Sequence, residues 1–145
     1  MDIINAAMIV GYYFLSLMAL GVSFSFYAIL HIAINALFWQ ENVFQLTEGK
    51  RKEIIILILA WLIVASPAIL HLLGFQIYYN MADISRHVIN IIVLMLPGIY
   101  KIWRNEAYAA IALNRVSAFL LFMILTLAAY YGIEQMNNIV INVIT

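Results

Sequence analysis

Residues 3–39 read IINAAMIVGYYFLSLMALGVSFSFYAILHIAINALFW, and no formally charged residue occurs between Asp2 and Glu41. About 20 apolar residues suffice for a helix to cross a bilayer, so this stretch exceeds one crossing. No proline and no polar turn cluster interrupts it, which favours one helix over residues 4–38 above a hairpin. At about 1.5 Å per residue such a helix outruns a hydrocarbon core about 30 Å thick. It must tilt, bend near Gly21, or project into the headgroups around His31 to Trp39.

The rest of the chain has the same character. Hydrophobic residues make up 67% of it and charged residues only 10%, against about 25% in soluble domains. A soluble fold with so few charges could not cover its surface; one solvated by lipid needs no such cover. The length, 145 residues, is that of a single domain. Net charge is +0, which argues against a nucleic-acid partner, because such proteins need a basic patch. Cysteine is absent, which removes disulfides, thiolate metal sites and Cys nucleophiles. Asp2 stands where a secretory signal would carry positive charge, so the first segment is expected to stay in the mature protein.

The expected fold is all-α: a polytopic membrane protein with four transmembrane helices over residues 4–38, 53–78, 82–103 and 108–133, and an outer tail over 134–145. Pro67 lies inside the second helix and Pro97-Gly98 inside the third. The alternative has three spans, with the third segment re-entrant. With four spans, Lys50, Arg51, Lys52, Lys101, Arg104 and Arg115 share one side, and only Arg86 lies on the other. The bias of Lys and Arg towards cytoplasmic loops makes the first side cytoplasmic and puts both termini outside. Tyr12-Tyr13, Tyr78-Tyr79 and Tyr130-Tyr131 fall at the outer ends, where interfacial aromatics are expected. The membrane is expected to be a bacterial inner membrane or an organellar one. The tail is expected to lie on the outer surface.

Ionisable groups inside a bilayer are costly, and each is by default a functional hypothesis. His71 and His87 fall at similar depth near the outer ends of adjacent helices. Facing imidazoles are what a six-coordinate haem b iron requires, and Arg86 could pair with a propionate or a quinone carbonyl. The blander reading pairs His87 with Asp83, one turn away. His31 and Asn35 share a face near the inner end of the first helix, which suits a polar contact to a partner helix. Arg115 either snorkels to the phosphates or meets a partner carboxylate. Ala7 and Gly11 form a small-xxx-small pair, and Ser16 and Ser23 add a polar stripe. Glu53 and Glu134 are expected at the membrane edges, which leaves no acidic group at mid-depth.

No phosphate loop, nucleophile elbow or HExxH motif is present. The expected role is a small polytopic subunit of a larger membrane complex, structural or assembly-related, with no catalysis of its own. Its expected partners are the lipid bilayer and other membrane subunits. The alternatives are a b-type haem or quinone anchor of a redox enzyme, and a small channel, transporter or membrane immunity protein.

Overall fold

A computed structural model of the chain describes residues 2–38, 47–77, 79–80, 82–103 and 115–143. All regular structure among them is helical: α1 is Ile3–Phe38, α2 Glu48–Leu72, α3 Ile84–Trp103 and α4 Arg115–Asn138, with a π-helical turn, Ile139–Val143, following directly. Three segments, Ile3–Leu37, Glu48–Leu72 and Val116–Asn142, are long and apolar enough to cross a membrane.

Contacts between helices fix their directions. Tyr13 of α1 reaches Leu72 of α2, while Asn35 reaches Glu53, so these two helices run antiparallel. Lys101 of α3 also meets Glu53, and Arg86 of α3 meets Glu134 of α4. The result is an up-and-down four-helix bundle. In it α1 packs on α4 and α2, α3 packs on α2 and α4, and α2 also touches α4 across the middle. One end, with Lys50, Arg51, Lys52 and Lys101, is the basic end; the other, with Tyr12, Tyr13, Tyr79, Tyr130 and Tyr131, is the tyrosine end.

Local chemistry sets the helix ends. Thr47 Oγ1 accepts from the Lys50 N–H and starts α2 five residues earlier than expected. Gly74 stops it at Leu72, not at residue 78. With a φ of 96°, Gly74 donates to the His71 carbonyl while Phe75 donates to Leu70, which closes the helix with a left-handed cap. Asp83 caps α3, its carboxylate accepting from the Arg86 N–H. Residues 108–114, expected to open the fourth helix, lie outside the described residues. At its other end α4 runs through Glu134 to Asn138 and into the π-turn. The expected surface tail is thus corrected for residues 134–143: they are helical, and Val140 is fully buried in a cluster with Ala19, Leu20, Ala65 and Ala68. Small residues on α1 and α2 leave room for that turn.

Two prolines sit inside helices, and each breaks the backbone ladder locally. Pro67 has no N–H for the Ile63 carbonyl, and the Ser66 hydroxyl donates to that carbonyl at 2.7 Å instead. Three residues before each proline, a carbonyl accepts from another helix. Asn137 of α4 donates to Val64 at 3.0 Å, and Tyr27 of α1 donates to Leu94 at 2.7 Å. Tyr27 thereby bridges the long diagonal between α1 and α3, in a core with Leu57, Ala60, Val64, Ala129 and Ile133. At Gly98 a side chain is excluded, since an added Cβ would overlap the Cβ and ring of Phe122. That glycine lets α3 and α4 close.

α1 is longer than the bundle. Ile9 and Tyr12 still share a groove with His71 and Leu72 at the end of α2, so residues 3–8 extend about 9 Å beyond it. This extension is exposed nearly all round, with Ile3 88% and the nearby Val10 68% exposed.

Candidate functional site

The bundle interior is far more polar than its composition suggests. Ser16, Ser23, His31, Asn35, Glu53, Asn90, Lys101, Thr126, Glu134 and Asn137 are all buried. Glu53 and Glu134, expected at the membrane edges, are sealed between helices. The reason is geometric. Glu53 continues the inward face of α2 that carries Leu57, Ala60 and Val64, and Lys101 continues the inward face of α3 that carries Asn90, Leu94 and Gly98.

At the basic end, three helices converge on Glu53. Its Oε2 accepts from Asn35 Nδ2 at 3.3 Å and lies 3.7 Å from Lys101 Nζ. Its Oε1 lies 3.4 Å from His31 Nε2, outside hydrogen-bonding geometry. The His31 ring also packs beside Phe122, with centroids 5.6 Å apart. Between α1 and α2 a cavity of about 260 Å³ opens onto this cluster, with Phe24, Ala28 and Leu57 as apolar wall. Three buried atoms of the cluster have no hydrogen-bond partner: His31 Nε2, Asn35 Oδ1 and Glu53 Oε1.

At the tyrosine end a cation and a carboxylate pair directly, with Arg86 Nε left without a partner. Arg86 grips Glu134 with both terminal nitrogens, Nη1 donating to Oε2 at 3.0 Å and Nη2 to Oε1. Nη2 also donates to the Asn80 carbonyl at 2.9 Å. The guanidinium stacks over the Tyr79 ring, 4.5 Å from its centroid. Burial, with Glu134 beside it, pushes the Tyr79 phenol well above its ordinary pKa. His87 Nδ1 shares a hydrogen bond with the Tyr130 hydroxyl, to which Asn90 Nδ2 also donates at 3.4 Å.

The residues singled out from the sequence are distributed as follows. His31 and Asn35 do share a face, but the helix they meet is α2 of the same chain, and both are buried by it. His87 and Arg86 come together with α4, through Tyr130 and Glu134. His71 lines a different interface, a groove with Tyr12, Tyr13 and Ser16 of α1. A haem would need both imidazoles on one iron, and the two rings are turned to different helices. Arg115 opens α4, and its side chain lies outside the described residues. Among the described residues no group of three or more His, Cys, Asp or Glu converges as a metal site.

Glu53, Lys101, Tyr27, Tyr130 and Glu134 were missed as members of clusters. Their helical spacing to buried apolar residues was a usable signal: Glu53 stands four, seven and eleven residues before Leu57, Ala60 and Val64. Compared with protein-family models, curated proteins and solved structures, the chain matches none.

Proposed function

We propose that this chain is a small polytopic subunit of a larger membrane protein complex, with a structural or assembly role. The observation that carries this reading is the α1 extension. Residues 3–8, with the exposed Val10 next to them, form an apolar helix beyond the bundle's end, with Asn5 as their one amide side chain. In water such a surface is costly, at about 25 cal/mol per Å² of apolar area. A bilayer fitted to the rest of the bundle does not reach it, whereas a neighbouring membrane chain would cover it.

The proposal includes a fourth crossing. α3 has 20 residues, about 30 Å, which matches the hydrocarbon core. Its two cations, Arg86 and Lys101, point inward, and its outward face is Val88, Ile92, Leu96, Ile99 and Trp103. That face suits lipid. With four crossings the excess of Lys and Arg puts the basic end in the cytoplasm or its organellar equivalent, with both termini opposite.

The test is purification from native membranes in mild detergent. Co-purifying membrane chains are expected with the natural sequence, and their loss is expected with Ile4→Ser/Val10→Ser at unchanged thermal stability. A lone chain from native membranes contradicts the subunit reading.

A further inference from the structure

We propose that the cavity between α1 and α2 at the basic end binds a lipid-derived amphiphile through a hydroxyl headgroup. The inference is independent of the assembly role. Its first ground is the set of unserved atoms. Asn35 Oδ1 and Glu53 Oε1 are acceptors sealed from solvent without a donor, and His31 Nε2 beside them can act in either sense by tautomer. A buried polar atom left unserved is costly, so a ligand that supplies a donor is favoured here.

Charge narrows the class. Lys101 already balances the Glu53 carboxylate at 3.7 Å, so a cationic head would bring surplus positive charge into a low dielectric. An anionic head would find Lys50 at the cavity wall, but it would also face two oxygen acceptors with no proton to offer them. A neutral hydroxyl donates to one oxygen and can still accept from the imidazole.

Size and access narrow it further. At about 260 Å³ the cavity lies just below the usual range for small-molecule pockets, about 300–1,000 Å³. It takes a head and its first carbons, not a whole lipid. Ile32 and Ile54, which also line it, are 45% and 39% exposed on the outer surface of the bundle. The mouth therefore faces the acyl chains, and a ligand enters sideways from the membrane with its apolar part trailing among them. The α1–α2 seam is the loosest of the four neighbouring contacts, which is why the space exists there.

Two sources share this chemistry: a phenolic head, as on a hydroquinone, and an aliphatic alcohol, as on a polyprenol. The test uses the full chain in phosphatidylcholine nanodiscs and equilibrium binding of tritiated decylhydroquinone, its dimethyl ether and farnesol. At least one hydroxyl probe is expected to saturate near one site per chain, about tenfold more tightly than the ether, as one added hydrogen bond allows. The tighter hydroxyl probe names the source. Ala28→Phe, which fills the cavity, should abolish saturation, while Ala128→Phe on the exposed side of α4 should not. If Ala28→Phe fails to fold, Asn35→Leu serves, with an expected loss of about tenfold for one acceptor. Partition no different from empty nanodiscs, equal binding of the ether, or binding unaffected by the cavity substitution overturns the proposal.

Discussion

The two ends of the bundle solve the same problem differently. Each buries a glutamate against a cation inside an apolar molecule. At the tyrosine end Arg86 meets Glu134 through a two-pronged fork and spends a further bond on Asn80, with Tyr79 packed on its face. Fork geometry of this kind is what arginine supplies and lysine does not. At the basic end Lys101 is a point charge 3.7 Å from Glu53, and one carboxylate oxygen is left without a hydrogen-bond partner beside a cavity that Glu53 helps to line. The first arrangement acts as a clasp between α3 and α4. The second links three helices yet keeps hydrogen-bonding capacity in reserve.

Substitutions should separate the two. Lys101→Met leaves Glu53 buried without its cation, a change that typically costs about 3–5 kcal/mol. Arg86→Met should cost less, because the Arg86 side chain is 20% exposed where that of Lys101 is 0%, so its removal opens a path for water to Glu134. Reversible unfolding in mixed micelles measures both; equal losses would erase the distinction between the ends. Gly98→Ala lies between them and tests the packing on which both depend. Its methyl group would meet Phe122, with an expected loss of about 1–3 kcal/mol, recovered in part by Phe122→Leu.

Conservative changes sharpen the contrast. Arg86→Lys keeps the charge and loses the fork, so about 1–2 kcal/mol should go, the scale of a charge-assisted hydrogen bond. Smaller effects are expected from Tyr27→Phe and Asn137→Leu, which remove the donors to the carbonyls before the two prolines. Single interhelical hydrogen bonds in membranes average about 0.6 kcal/mol. Losses above about 2 kcal/mol for either, read by the same unfolding assay, would mean that the proline-side carbonyls have no other recourse.

The helices were legible where composition decides them. The uncharged run after Asp2 gave α1 nearly residue for residue, and Tyr12, Tyr13, Tyr79, Tyr130 and Tyr131 do fall at one end of the bundle. Helix ends were less so, because Thr47 and Gly74 act through backbone geometry, not hydropathy. The clusters were legible only in fragments. His31 and Asn35 share a face by periodicity, and Arg86 stood out as an isolated cation. Their partners did not, because Glu53, Lys101 and Glu134 sit near helix ends, where a charge reads equally well as a headgroup contact. Whether such a residue turns inward depends on which face its neighbours bury, and for Glu53 that is set by Leu57, Ala60 and Val64 together with α1 and α3. The tail failed for the opposite reason: its apolar residues match small residues on two distant helices, a complementarity that no local pattern displays.

The convergence of α1, α2 and α3 on Glu53 is tested most directly by a double-mutant cycle. Glu53→Leu, Lys101→Met and the double variant are compared by reversible unfolding in one micelle system. The structure predicts strong coupling, with the double variant losing much less than the sum of the singles, by about 2 kcal/mol or more, since neither charge is then left buried alone. Additive losses would contradict it, because they would mean that the two side chains do not meet inside the bundle.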